Sequence, residues 1–218
     1  MPAQKRSTPE EDLAYMREIA EGGTPRASYT AGMVYLSSGL LYGVQCLFHI
    51  GQIVGVVRVP GWVSLTFVIG ILVATIGCMV WATLRDRREG LKAFGNTKAM
   101  SAALSATGLA NCAFLIIFAV NAVRMENFAI WLLYPAVVFA VQGAAWFIAW
   151  QLKRHVWMLL TSIGGMITAV ALGLLIHDSF AYLCVCTAAL FLLFALPGWI
   201  MIRDAHAWST RSARIGLA

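Results

Sequence analysis

Polar and apolar positions fall into blocks along this chain. Thirty-one residues without Asp, Glu, Lys or Arg lie between Arg26 and Arg58, and 26 between Arg58 and Arg85. Further charge-free runs follow: 25 residues from Lys98 to Arg124, 26 from Glu126 to Lys153, 23 from Arg154 to Asp178 and 24 from Asp178 to Arg203. Leu, Ala, Val, Ile and Gly dominate these runs. A helix rising about 1.5 Å per residue needs about 20 apolar residues to cross a hydrocarbon core of about 30 Å. All six runs meet that length. Helices satisfy their backbone groups within each segment, as lipid requires. The two-residue alternation of a membrane β-barrel is absent from the sequence. The pattern predicts an all-α, polytopic membrane protein with six spanning helices.

Three regions follow: a cytoplasmic N-terminal segment over 1–26, a six-helix transmembrane domain over 27–203 and a cytoplasmic tail over 204–218. In the first, Thr8-Pro9-Glu10-Glu11 reads as a capping box. Leu13, Met16, Ile19 and Ala20 form an apolar stripe, and Gly22-Gly23 stops the segment. A short amphipathic helix on the bilayer surface or docked under the bundle is expected there. No secretory leader pattern is read in Met1–Glu21. The tail after Asp204 lacks an apolar period and is expected to be mobile.

Composition sharpens the picture. Sixty per cent of residues are hydrophobic and 12% charged, against about 25% charged in soluble domains. The net charge of +6 comes from unevenly placed cations. Fourteen Lys and Arg fall in the N-terminal segment, the second and fourth loops and the tail, against only Arg58 and Arg124 on the other side. Basic loops stay cytoplasmic during insertion, so both termini are expected inside. The bilayer is then the partner of the charge, and nucleic acid is not. Trp62 and Trp131 fall at one set of helix ends, and Trp81, Trp150, Trp157 and Trp199 at the other, as an interfacial belt would place them. Trp146 lies deeper.

Small residues recur four apart: Gly39 and Gly43, Gly70 and Ala74, and Gly165, Ala169 and Gly173. Such spacing lets helix backbones approach in lipid. Internal packing is the expected use, with contact to a second copy or another membrane protein as the alternative. Gln45 and Gln142 are 97 residues apart; Trp62 and Trp157, Thr66 and Thr161, and Gly70 and Gly165 are each 95 apart. With three helices per half, this spacing suggests a 3+3 inverted repeat, an architecture common in transporters.

Candidate chemistry is sparse. No acidic or basic residue stands in the middle of a span, which disfavours proton relays and ion pumps. No phosphate loop, nucleophile elbow or zinc-hydrolase motif occurs, so an enzyme is disfavoured. No cofactor or metal is expected. Gln45, Asn111 and Gln142 fall near mid-depth and must face the interior or one another. With Thr161 they are the candidates for a solute path. His49, His177 and Asp178 lie toward the charge-poor end and are weak ligand candidates for haem or a metal. The five cysteines, Cys46, Cys78, Cys112, Cys184 and Cys186, read as small apolar fillers.

Glu11-Asp12-Leu13-Ala14-Tyr15-Met16, Gly95-Asn96, and Leu196-Pro197-Gly198 followed by Arg203 resemble segments of a loose set of bacterial six-helix integral membrane proteins. That resemblance implies the same fold in a bacterial cytoplasmic (inner) membrane. No activity is attached to that set. The residues themselves suggest a small permease or channel-like protein for a neutral solute. The alternative is a membrane-embedded regulatory or assembly subunit, acting through the N-terminal helix and basic loops.

Overall fold

The computed structural model describes residues 25–88 and 95–215. All its regular elements are helices. They are α1 (Pro25–Val54), α2 (Gly61–Arg88), α3 (Gly95–Arg124), α4 (Phe128–Lys153), α5 (Val156–Leu174), α6 (Ser179–Leu190) and α7 (Leu196–Ile215), with a π-helical turn, Phe191–Ala195, between the last two. Six helices are long and apolar enough to cross a membrane; α6, the π turn and α7 form the sixth as one run, Ser179–Ala207. The amphipathic helix expected before Gly22 lies outside the described residues.

Local chemistry explains the boundaries. The Asn127 side-chain oxygen accepts from the Ala129 N–H at 3.0 Å and caps α4. Asp178 caps α6 in the same way through the Ala181 N–H. Arg154 takes the left-handed conformation, φ 57°, and its N–H closes on the Trp150 carbonyl. A two-residue turn thus folds α5 back along α4. Pro135 sits within α4 without ending it. Pro197 has a different effect. Its ring nitrogen has no hydrogen to give and its ring crowds the carbonyl four residues back. Just before it the helix widens, and the Leu196 N–H reaches the Phe191 carbonyl, five residues back.

The helix also runs on where a mobile tail is expected, through Ile215. The last turn of the span is anchored: Ala205 is buried, and the His206 ring meets Tyr29 edge-on at 5.4 Å. A helix already nucleated by the span needs no apolar period of its own to propagate.

Packing divides the spans unequally. α4 pairs along its length with α5, and α1 pairs with α6, the π turn and α7. α5 touches α6, closing a four-span core. α2 packs on α1, and α3 on α4, each from outside. Close approach relies on glycine. A methyl on Gly143 would come within 2.9 Å of the Ser162 carbonyl oxygen, and one on Gly39 within 2.5 Å of the Ala195 nitrogen. Gly198 faces the backbone of Gly32 and Leu36. The internal use expected for small residues therefore holds at Gly39, Gly43 and Gly165. Gly70 and Gly173 instead face open space. At the basic end, Arg85 lies over Tyr29 and Trp81, Arg154 over Trp150 and Arg203 over Trp199, each within 5.5 Å. Aromatic rings and cations thus mark one interface plane.

Candidate functional site

Trp146 is the pivot of the interior, 1% exposed. Tyr35 from α1 meets it edge-on at 5.2 Å, and Trp157 from α5 does so at 5.3 Å. Phe194, on the π turn, stacks on Tyr35 at 5.7 Å and meets Phe139 edge-on at 5.6 Å. The Gln142 amide donates to the Tyr35 hydroxyl. Four spans therefore converge on one polar bond walled by aromatic rings. The Trp146 indole N–H, buried at this point, has no acceptor among the described residues. The Ser162 hydroxyl donates to the Gly143 carbonyl at 2.8 Å, and the Tyr182 hydroxyl to the Leu132 carbonyl at 2.7 Å. Both bonds cross between spans, where an unmet hydroxyl would be costly.

The three amides do not share one environment. Gln142 is paired, whereas the side-chain oxygens of Gln45 and Asn111 are buried without a hydrogen-bond partner among the described residues. Gln45 lies on α1 and Asn111 on α3. Polar groups from four helices cluster nearby. Tyr42, three residues before Gln45, has its hydroxyl within reach of Thr75 on α2. Tyr134 on α4 lies near both Tyr42 and Cys112, the residue after Asn111. Gln45 follows Tyr42 by one turn on α1, and Asn111 precedes Cys112 on α3, so each unpaired acceptor stands close in sequence to a member of this polar group. No charged side chain stands there to hold an ion.

Thr161 donates to the Trp157 carbonyl of its own helix, so its hydroxyl proton is engaged locally. The weak ligand candidates are also occupied or apart. His49 pairs through Nδ1 with Gln52 at 2.9 Å, and Gln52 bonds Ser64 on α2. Asp178 serves as the α6 cap, and His177 is exposed beside it. Among the described residues no three His, Cys, Asp or Glu side chains come together as a metal site.

Residues absent from the sequence-based set are Tyr35, Tyr42, Tyr134 and Phe194. The tyrosines carried a signal, since a mid-span hydroxyl needs a partner in lipid. Phe194 carried none; its position depends on the widened turn. Comparison with known protein families, with curated proteins and with solved structures finds no match to this chain.

Proposed function

We propose that this membrane protein binds and passes a small, neutral solute bearing hydrogen-bond donors, as a permease or channel-like protein. The single observation that carries this reading is the pair of buried, unpartnered amide oxygens on Gln45 and Asn111. Acceptors without donors complement a hydroxyl or amide solute. The charge-free interior excludes ions through the cost of desolvating them. α2 and α3, each seated mainly on one neighbour, are the helices whose displacement breaks the least packing. The inverted repeat agrees in part. α1–α2 and α1–α6/α7 contacts correspond to α4–α5 and α4–α3 contacts. Thr66 and Thr161 both bond the Trp carbonyl four residues back. Gly70 and Gly165, by contrast, differ in surroundings. We assign the chain no catalytic step. The sidedness expected from the basic loops puts both termini in the cytoplasm.

The test is solute flux into proteoliposomes, followed by light scattering with urea and small polyols. Two hydrogen bonds of about 1 kcal/mol each correspond to roughly 30-fold. The Gln45→Leu, Asn111→Leu double variant should lose most of the protein-dependent rate. Equal flux from the variant and the unaltered chain, or no flux above empty vesicles, overturns the proposal.

A second reading, a regulatory or assembly subunit, draws support from the lipid-exposed faces of α2 and α3. A stoichiometric membrane partner that co-purifies with the full chain and is lost on deleting residues 1–24 would favour it.

A further inference from the structure

Cys46 on α1 and Cys186 on α6 are 140 positions apart in sequence, yet their sulfurs lie 4.0 Å apart. Both are free thiols. Of the other three cysteines, Cys78 touches the Ser37 hydroxyl, Cys112 is exposed, and Cys184 is half-buried on a different face of α6 from Cys186. We propose that Cys46 and Cys186 form an oxidisable dithiol, a modification site whose disulfide ties the first span to the sixth.

Three observations support this. First, the two helices cross closely, because Gly39 and Gly43 seat α1 directly on the π turn at Ala195 and Phe191. The thiols lie a turn or so beyond that contact. A disulfide of about 2.04 Å requires the sulfurs to close by roughly 2 Å, a movement within reach of one rotamer change. Second, the product suits its surroundings. Two neutral thiols give one neutral disulfide, so oxidation leaves no charge in the bundle. Third, a polar chain leads from the charge-poor end toward the site. His49 lies one turn beyond Cys46 and joins Gln52, which joins Ser64. Thr187 lies beside Cys46 as well.

The oxidant is a small, lipid-permeable disulfide. One protein thiol attacks it and forms a mixed disulfide, releasing one small thiol; the second protein thiol then displaces the other. One S–S bond forms and one breaks. Two electrons pass to the reagent, and the two protons end on the two released thiols.

The experiment treats the full chain in nanodiscs with 4,4′-dithiodipyridine, followed by non-reducing digestion and mass spectrometry. The expected result is a linked peptide pair carrying Cys46 and Cys186, about 2 Da lighter than the two free peptides. Cys112, exposed and apart, should instead carry the pyridyl adduct and serves as the internal control. Cys46→Ser should abolish the link and leave Cys186 free or capped. Reaction at Cys112 with capping of Cys46 and Cys186 but no link, or with no reaction at either, overturns the proposal. Because the readout on the unaltered chain needs no variant to fold and no flux, its outcome is independent of the transport proposal.

Discussion

The spans α2 and α4 are both apolar enough to cross a bilayer, and they do opposite things with that character. α2 is the most apolar of the six and has 11% of its span buried; α3 has 6%, whereas α4 has 39%. In water this order would reverse, because burial would follow hydrophobicity. Lipid removes that drive: a leucine gains little by leaving hydrocarbon for a protein interior. What draws a helix inward here is the means to pack closely or to bond. α4 and its neighbours have Gly143 against Ser162, Gln142 against Tyr35, and Trp146 among aromatic rings. α2 brings Leu65, Ile69, Val73 and Ile76, all facing out. The core therefore gathers the bonded polar and closely packed small residues in among apolar ones, whereas the outer faces of α2 and α3 are almost wholly apolar.

The largest test of that division compares Trp146→Ala with Ile76→Ala, by reversible unfolding in mixed SDS micelles. Trp146 fills the convergence of four spans, so its loss leaves a cavity. Truncating a buried Trp costs about 3–5 kcal/mol in water-soluble cores. About 3 kcal/mol is expected here, since packing is lost while hydration hardly changes. Ile76, about half exposed on α2, should change stability by no more than about 0.5 kcal/mol. Equal losses at the two positions would mean that α2 is as tightly packed as α4.

Glycine gives a smaller but sharper contrast. A methyl on Gly198 would overlap the Leu36 and Gly32 backbone, and no flexible side chain there can yield. Gly198→Ala should cost about 2 kcal/mol, as overpacking typically does. At Gly70 a methyl meets nothing within 4 Å. Gly70→Ala should be neutral or slightly stabilising, through helix propensity. The same unfolding assay reads both. A loss at Gly70 comparable to that at Gly198 would point to a partner covering α2.

Much of the fold was legible in the sequence, and the reasons are physical. The six spans follow from charge placement, because a charge in hydrocarbon is far costlier than any local preference. Trp146 stood out as deeper than the other tryptophans, though its burial among four spans was not legible. Which spans are central was not legible. Apolar residues line both the core and the lipid face, so no periodic contrast separates them. Gly70 and Gly165 share a spacing motif, yet only Gly165 meets another helix. The π turn was hidden because Pro197 can end, kink or widen a helix, and the neighbouring α1 backbone enters the choice. The amides stood out in the sequence by their place within the apolar runs, but their partners depend on rotations that sequence does not reveal. The meeting of Cys46 with Cys186 was missed for the same reason.

The smallest expected effect differs in sign between two amides. Gln142 lies in the four-span core and holds the Tyr35 hydroxyl. Gln142→Leu leaves that hydroxyl buried without its partner, which costs about 1–2 kcal/mol. Asn111 lies on the outer helix α3, and its side-chain oxygen meets no donor among the described residues. Asn111→Leu removes a buried, unmet acceptor and should stabilise the chain by about 0.5 kcal/mol. Unfolding midpoints measured side by side for the two variants give the answer. If both lose stability, Asn111 already has a donor in the folded protein, and its oxygen is structural glue like Gln142. If only Gln142→Leu does, the Asn111 oxygen is held without benefit to folding. An acceptor that folding does not use is one that a solute can.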